Sequence, residues 1–68
     1  MKTIIKRLAI RLKRLREERG LTQERLAKRS GMSHGYIARL EIGMHDPSLS
    51  TLAKLAKALK VSVAELVE

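Results

Sequence analysis

Apolar residues recur along this chain at intervals of three and four, the spacing that gathers side chains on one face of an α-helix. Ile5, Leu8, Leu12 and Leu15 form the first such stripe. They predict a helix from about Ile4 to Arg19, with Gly20 free to take the left-handed conformation that closes a helix. Thr22 is a good N-cap, and the second helix runs from Thr22 to about Arg29. Leu21 and Leu26 flank that cap at staple spacing, but the third helical position holds Arg25 rather than Glu, so the capping signature is half present. Gly31 closes this helix. Ser33 caps a third helix that runs to about Ile42, with Ile37 and Leu40 inward and Gly43 at its end. Met32 and Ile37 repeat the staple spacing. A fourth helix starts near Ser48, after Pro47, and carries Leu52, Leu55, Ala56 and Leu59 as its stripe. The fifth is short, from Ser62 onward, with Ser62 and Glu65 as a capping-box pair and Val61 and Leu66 as a staple. The pattern predicts an all-α fold of five helices in a single domain over residues 1–68.

Only Ser30, Gly31 and Met32 separate the second and third predicted helices. A turn this tight forces two helices to cross steeply, which is the geometry of a helix-turn-helix, here over about residues 22–42. Close crossing needs a small side chain, supplied by Ala27, and a turn residue that tolerates positive φ, supplied by Gly31. Ile37 and Leu40 supply the apolar contacts. A plain helical hairpin would share the short turn. The combination of these four residues with two caps and two staples favours the helix-turn-helix.

Charge narrows the partners. Among 68 residues, 15 Lys and Arg face seven Asp and Glu, a net charge of +8. The expected partners are polyanions, nucleic acid first and an anionic membrane surface second. The first helix, with Lys6, Arg7, Arg11, Lys13 and Arg14, is basic and amphipathic and suits such a surface. Its leucine stripe is needed for the core of so small a domain, however, and the chain has no Trp or Phe to anchor it. No membrane partner is expected: the longest stretch without Asp, Glu, Lys or Arg runs only from Ser30 to Ala38, far short of a spanning helix. Lys6, Arg7 and Arg11 likewise interrupt any signal-peptide core. With no Cys, disulfides and thiolate metal sites are excluded, which fits a reducing, cytoplasmic setting. His34 and His45 lack metal-ligand spacing, and no nucleophile has an evident base. No catalytic residue, metal or cofactor is expected.

The run from Leu21-Thr22-Gln23-Glu24-Arg25-Leu26-Ala27 to Gly31 resembles the second helix of the Cro- and phage-repressor-like helix-turn-helix proteins, the xenobiotic-response-element type. Ser33 to Gly43, with Tyr36-Ile37 and Leu40-Glu41, resembles their recognition helix. Pro47-Ser48-Leu49 to Leu59, then Val61-Ser62, resembles their last two helices. The similarity covers roughly Ile10 to Glu68. It implies a five-helix, lambda-repressor-like DNA-binding domain and a transcriptional regulator, as a repressor, acting on double-stranded DNA. It also implies that Arg16 and Glu41 pair, joining the first helix to the end of the third, and that Arg16 reaches a phosphate. As a solvated pair they would contribute only about 0–1 kcal/mol, so their expected value is positional. Two places depart from the family pattern. Lys60 stands where many members carry Gly, and must take a strained conformation or end the helix differently. Ile42, Met44 and His45 occupy a loop where polar phosphate contacts are common, which leaves backbone N–H groups near Gly43 for that role.

At 100° per residue, Gly35, Ala38, Arg39 and Ile42 point away from the buried face, and His34 lies in the exposed first turn. The N-terminal part of such a helix meets the bases, which makes His34, Gly35, Ala38 and Arg39 the candidate base readers. A guanidinium can bond both major-groove acceptors of guanine, and phosphate contact is the alternative role for Arg39. His34 would touch a base edge or a phosphate, or nothing. Gly35 would permit close approach of the backbone or simply be tolerated. Gln23, at a helix N-terminus that attracts anions, is placed on a phosphate by the resemblance. Ser33 would cap, touch a phosphate, or both; Tyr36 would pack, or contact a phosphate through its hydroxyl. Two half-sites about 34 Å apart would favour a homodimer, with Val63 and Val67 as its interface unless they complete the core. An antitoxin with a toxin partner, or a restriction–modification controller, is the alternative to a simple repressor.

Overall fold

The computed structural model describes residues 2–68, with side chains from Ile4 onward; Met1, the first residue of the expected domain, lies outside the described residues. Five helices follow one another: α1 (Lys2–Glu18), α2 (Gln23–Ser30), α3 (His34–Glu41), α4 (Leu49–Leu59) and α5 (Val63–Val67). No strand occurs among the described residues. The predicted elements are all present, with shifted ends. α1 begins at Lys2 rather than near Ile4, and Ser30 belongs to α2 rather than to the turn. Ser30 can be buried at the end of α2 because its hydroxyl donates back to the Leu26 carbonyl at 2.7 Å, which leaves that hydroxyl satisfied.

Four helices start on a side chain. Thr22, Ser33, Ser48 and Ser62 each accept a hydrogen bond from the backbone N–H three residues on. At Ser62 the box is complete, because Glu65 reaches back to the Ser62 N–H at 3.1 Å. This satisfies donors that a helix start would otherwise leave unpaired.

α1 packs against α3 and α5, α2 against α3 and α4, and α4 against α5. The core between them is almost entirely leucine. Leu12, Leu26, Ile37, Leu40, Leu55, Leu59 and Leu66 are fully buried, and Ala27 fills the small position in α2. Ile5 and Leu52 complete their stripes only half-buried. Met32, Val61, Val63 and Val67 pack against this cluster from its edge. No described helix is long and apolar enough to cross a membrane.

α2 and α4 end alike. After α2, Gly31 donates to the Lys28 carbonyl and Met32 to the Ala27 carbonyl, at 3.3 and 2.9 Å. After α4, Lys60 donates to Lys57 and Val61 to Ala56, at 3.2 and 3.0 Å. This paired pattern requires a left-handed residue at the helix end. Gly31 takes φ 72° at no steric cost, and Lys60 takes φ 59° with a Cβ in the way. The departure seen at Lys60 is therefore resolved by strain rather than by a different helix ending. Lys60→Gly is expected to raise stability by about 0.5–1 kcal/mol, the relief of left-handed strain less the chain entropy of Gly. Urea unfolding followed by circular dichroism reads the change; an unchanged or lower midpoint would contradict the strain.

Candidate nucleic-acid interface

α3 is held by three anchors. The turn at Gly31 sets its entry, and Ser33 caps its first turn through the Tyr36 N–H at 3.1 Å. Its last residue, Glu41, is tied to α1. Arg16 donates from Nε to Glu41 Oε2 at 2.6 Å and from Nη2 to Oε1 at 3.1 Å, a two-point contact between planar groups. The third guanidinium nitrogen, Nη1, donates to the Leu21 carbonyl at 2.6 Å. Gln23 adds a fourth bond, from Nε2 to Glu41 Oε1 at 3.0 Å. The pairing implied by the resemblance is present, but it is not solvated: Arg16 is 9% and Glu41 8% exposed.

Burial changes what the pair does. Removing two charges from water is costly, and the attraction repays it only when the geometry is good and the remaining donors and acceptors are filled. Here they are filled from α1, the α1–α2 connection, α2 and α3. The hydrogen bond to Glu41 raises the Arg16 pKa above its ordinary value; burial opposes this, and the charges of Glu41 and Glu17 add to it. A raised base stabilises the fold at all pH below its unfolded value and loses that contribution only as pH rises through its folded one. That window lies above the ordinary arginine range, so the Arg16 contribution is constant around neutrality. The same geometry leaves Arg16 9% exposed, with all three of its guanidinium nitrogens bonded within the protein.

The four candidate base readers lie on the outward side of α3. His34, Gly35 and Arg39 are exposed and Ala38 is half-buried, while Ile37 and Leu40 are buried behind them. His34 is not free-standing: its Nε2 lies 3.1 Å from Gln23 Oε1. A polar chain therefore runs Arg16–Glu41–Gln23–His34, from the core to the outward face. The Arg39 side chain leans over Gly35, where a Cβ would lie 3.3 Å from Arg39 Nη1.

The candidate phosphate groups divide. Gln23 sits in the first turn of α2, half-buried, and both ends of its amide are engaged within the protein. Ser33 is exposed and acts as a cap. Tyr36 packs partly on the core and stacks on His45, with ring centroids 4.7 Å apart. The Gly43 N–H, expected to be available after the recognition helix, instead donates to the Leu40 carbonyl at 3.1 Å. Helix closure consumes it. Ile42 is 69% exposed on the same loop.

His45 was missed by sequence reasoning, which saw only a loop residue. In the structure, Arg39 Nε donates to His45 Nε2 at 3.0 Å. The helix end at Gly43, φ 77°, turns the chain back along α3 and brings His45 to Tyr36 and Arg39. A glycine at a helix end followed two residues later by an imidazole was the available signal.

Comparison with known proteins matches this arrangement to a family. Residues 12–66 fit the family model described as helix-turn-helix. The chain belongs to the helix-turn-helix transcriptional regulators. It is 54% identical over 54 residues to the HTH-type transcriptional regulator y4dJ of Sinorhizobium fredii, covering 79% of this chain and 70% of that one. It is 44% identical over 57 residues to the immunity repressor protein of Bacillus phage phi105, covering 84% of this chain but 40% of the repressor. Among solved structures, the restriction–modification controller protein C.AhdI from Aeromonas hydrophila superposes with a TM-score of 0.89 at 39% identity, over 91% of this chain and 94% of that one. The family assignment makes the chain a DNA-binding regulator with the all-α, five-helix fold read from its sequence.

Because Arg16 and Glu41 fill each other's hydrogen bonds away from water, losing one leaves a buried charge. Arg16→Ala or Glu41→Ala is expected to cost about 3–5 kcal/mol in urea unfolding, while the double change Arg16→Met with Glu41→Leu recovers most of the loss. Single variants within about 1 kcal/mol of the parent would show the pair to be solvated.

Proposed function

We propose that the chain represses transcription by placing α3 in the major groove of a near-palindromic operator, as a homodimer. One observation carries the reading. The outward face of α3 presents His34, Gly35 and Arg39 to solvent while its opposite face is buried and its last residue is locked to α1. Such a helix presents hydrogen-bonding groups in a fixed orientation, as base-edge readout requires. Arg39 and His34 contact base edges. Ser33, Tyr36 and the first turn of α2 at Gln23 face phosphates. The net charge of +8 supplies sequence-independent affinity by displacing counterions. Val63 and Val67 are half-buried at the core's edge; the surface that remains to them contributes to dimer contact. The regulator acts in the cytoplasm, without catalysis.

A second reading is a controller or antitoxin that acts through a protein partner as well as DNA. The likeness to a restriction–modification controller, which this chain covers over 94% of its length, favours the controller form.

Selection of sites from a random duplex pool, followed by affinity measurements at two salt concentrations, tests the proposal. The expected result is an enriched near-palindrome bound far more tightly than random DNA, with both affinities falling as salt rises. Arg39→Ala should cost about 1–3 kcal/mol on the selected site and much less on random DNA. Equal losses on both would remove base reading by Arg39, and no enriched sequence would reduce the chain to a general polyanion binder.

A further inference from the structure

The Arg39 guanidinium lies over Gly35 and is held at one edge by His45, a residue outside the base-reading set. Side chains on a helix lean toward its N-terminus and cover the residue four positions earlier. For Arg39 that residue is Gly35, which has no side chain to obstruct it. The nearest guanidinium atom, Nη1, would lie 3.3 Å from a Cβ there, tighter than an ordinary contact. At its other edge, Nε donates to His45 Nε2 at 3.0 Å. His45 is in turn braced by the Tyr36 ring, with centroids 4.7 Å apart and planes 24° apart. Among the described residues, the Arg39 guanidinium's hydrogen bond is the one from Nε, which leaves Nη1 and Nη2 without a partner there.

We infer that Tyr36, His45 and Gly35 are specificity-determining positioning elements: together they place Arg39 so that Nη1 and Nη2 lie over Gly35 as a fork at the N-terminal half of α3. With Nε occupied by His45, the two donors left at the end of the guanidinium are the pair that fits the O6 and N7 acceptors of one guanine. A long side chain fixed before binding loses less rotamer freedom when it pairs. Held this way, Arg39 favours guanine over a loosely placed phosphate oxygen. Gly35 clears the path by which the side chain reaches the end of the helix that meets the bases. The inference rests on base reading by Arg39 and adds how that reading is made selective.

The test uses the full chain with the selected duplex and with the same duplex carrying 7-deazaguanine at single positions, which lacks the N7 acceptor. Variants are Arg39→Ala, His45→Ala, His45→Gln and the double variant Arg39→Ala with His45→Ala. Arg39→Ala should weaken binding by about 5–150-fold and make it insensitive to one deaza substitution. His45→Ala should weaken binding by about 2–10-fold, the size of one hydrogen bond, and reduce sensitivity at that same position. His45→Gln, whose amide oxygen can accept from Nε, should restore part of the loss. The double variant should bind no worse than Arg39→Ala alone, and the His45 variants should unfold at the parental urea midpoint. If Arg39→Ala removes the deaza sensitivity while His45→Ala leaves it intact, or if the two losses add, positioning by His45 is overturned and base reading survives. If Arg39→Ala leaves every deaza sensitivity unchanged, base reading by Arg39 fails and the inference fails with it.

Discussion

The guanidinium of Arg16 ties α1 to the end of α3, 25 residues away, and to the connection that leads into α2. Its bonds reach Glu41 at the end of α3 and the Leu21 carbonyl before α2, and Glu41 passes the connection on to Gln23 in the first turn of α2. A 68-residue chain has a small core, and a leucine-rich core specifies packing loosely because many arrangements bury the same surface. A buried, two-point ion pair disfavours arrangements that separate its partners, since those would strand a charge away from water. Fixing α1 to the end of α3 therefore fixes the direction in which α3 presents its outer face. The hydrogen-bonded chain then continues through Gln23 to His34, so the constraint reaches the exposed face of α3.

Affinity and specificity come from different parts of this molecule. Fifteen Lys and Arg residues give a general attraction to phosphate that salt weakens. On the proposed reading, sequence is read by a few side chains in one or two turns of α3, where small differences in placement decide whether a guanidinium meets a base or a phosphate. The Gly31 turn, the Ser33 cap, the Glu41 lock and the His45 contact all act on placement. None of them need touch DNA to affect which sequence is bound.

The helices were legible because each stripe and each cap is local. Thr22, Ser33, Ser48 and Ser62 are visible as caps in the sequence and act as caps in the fold. The start of α1, which the apolar stripe predicts near Ile4, lies at Lys2. Ser30 reads as a turn residue by composition; in the fold it closes α2, its hydroxyl bonded back to the Leu26 and Ala27 carbonyls. Burial of Arg16 and Glu41 was hidden, because a pairing 25 residues apart says nothing of the side chains that close over it. The Gly43 N–H looked available because its partner, the Leu40 carbonyl, is fixed by the helix ending and not by residue type. His45 was missed for the same reason: the direction of the chain after Gly43 brings it to Arg39.

Nitrogen–proton correlation spectra of the labelled chain, titrated with the selected duplex, test most directly whether α3 is the reading element. The largest shifts should fall on residues 33–39 and on the first turn of α2 at Gln23, with Arg39 side-chain resonances changing and core amides at Leu55, Leu59 and Leu66 nearly still. Shifts concentrated on α5 or along the basic face of α1, with residues 33–39 undisturbed, would contradict the account.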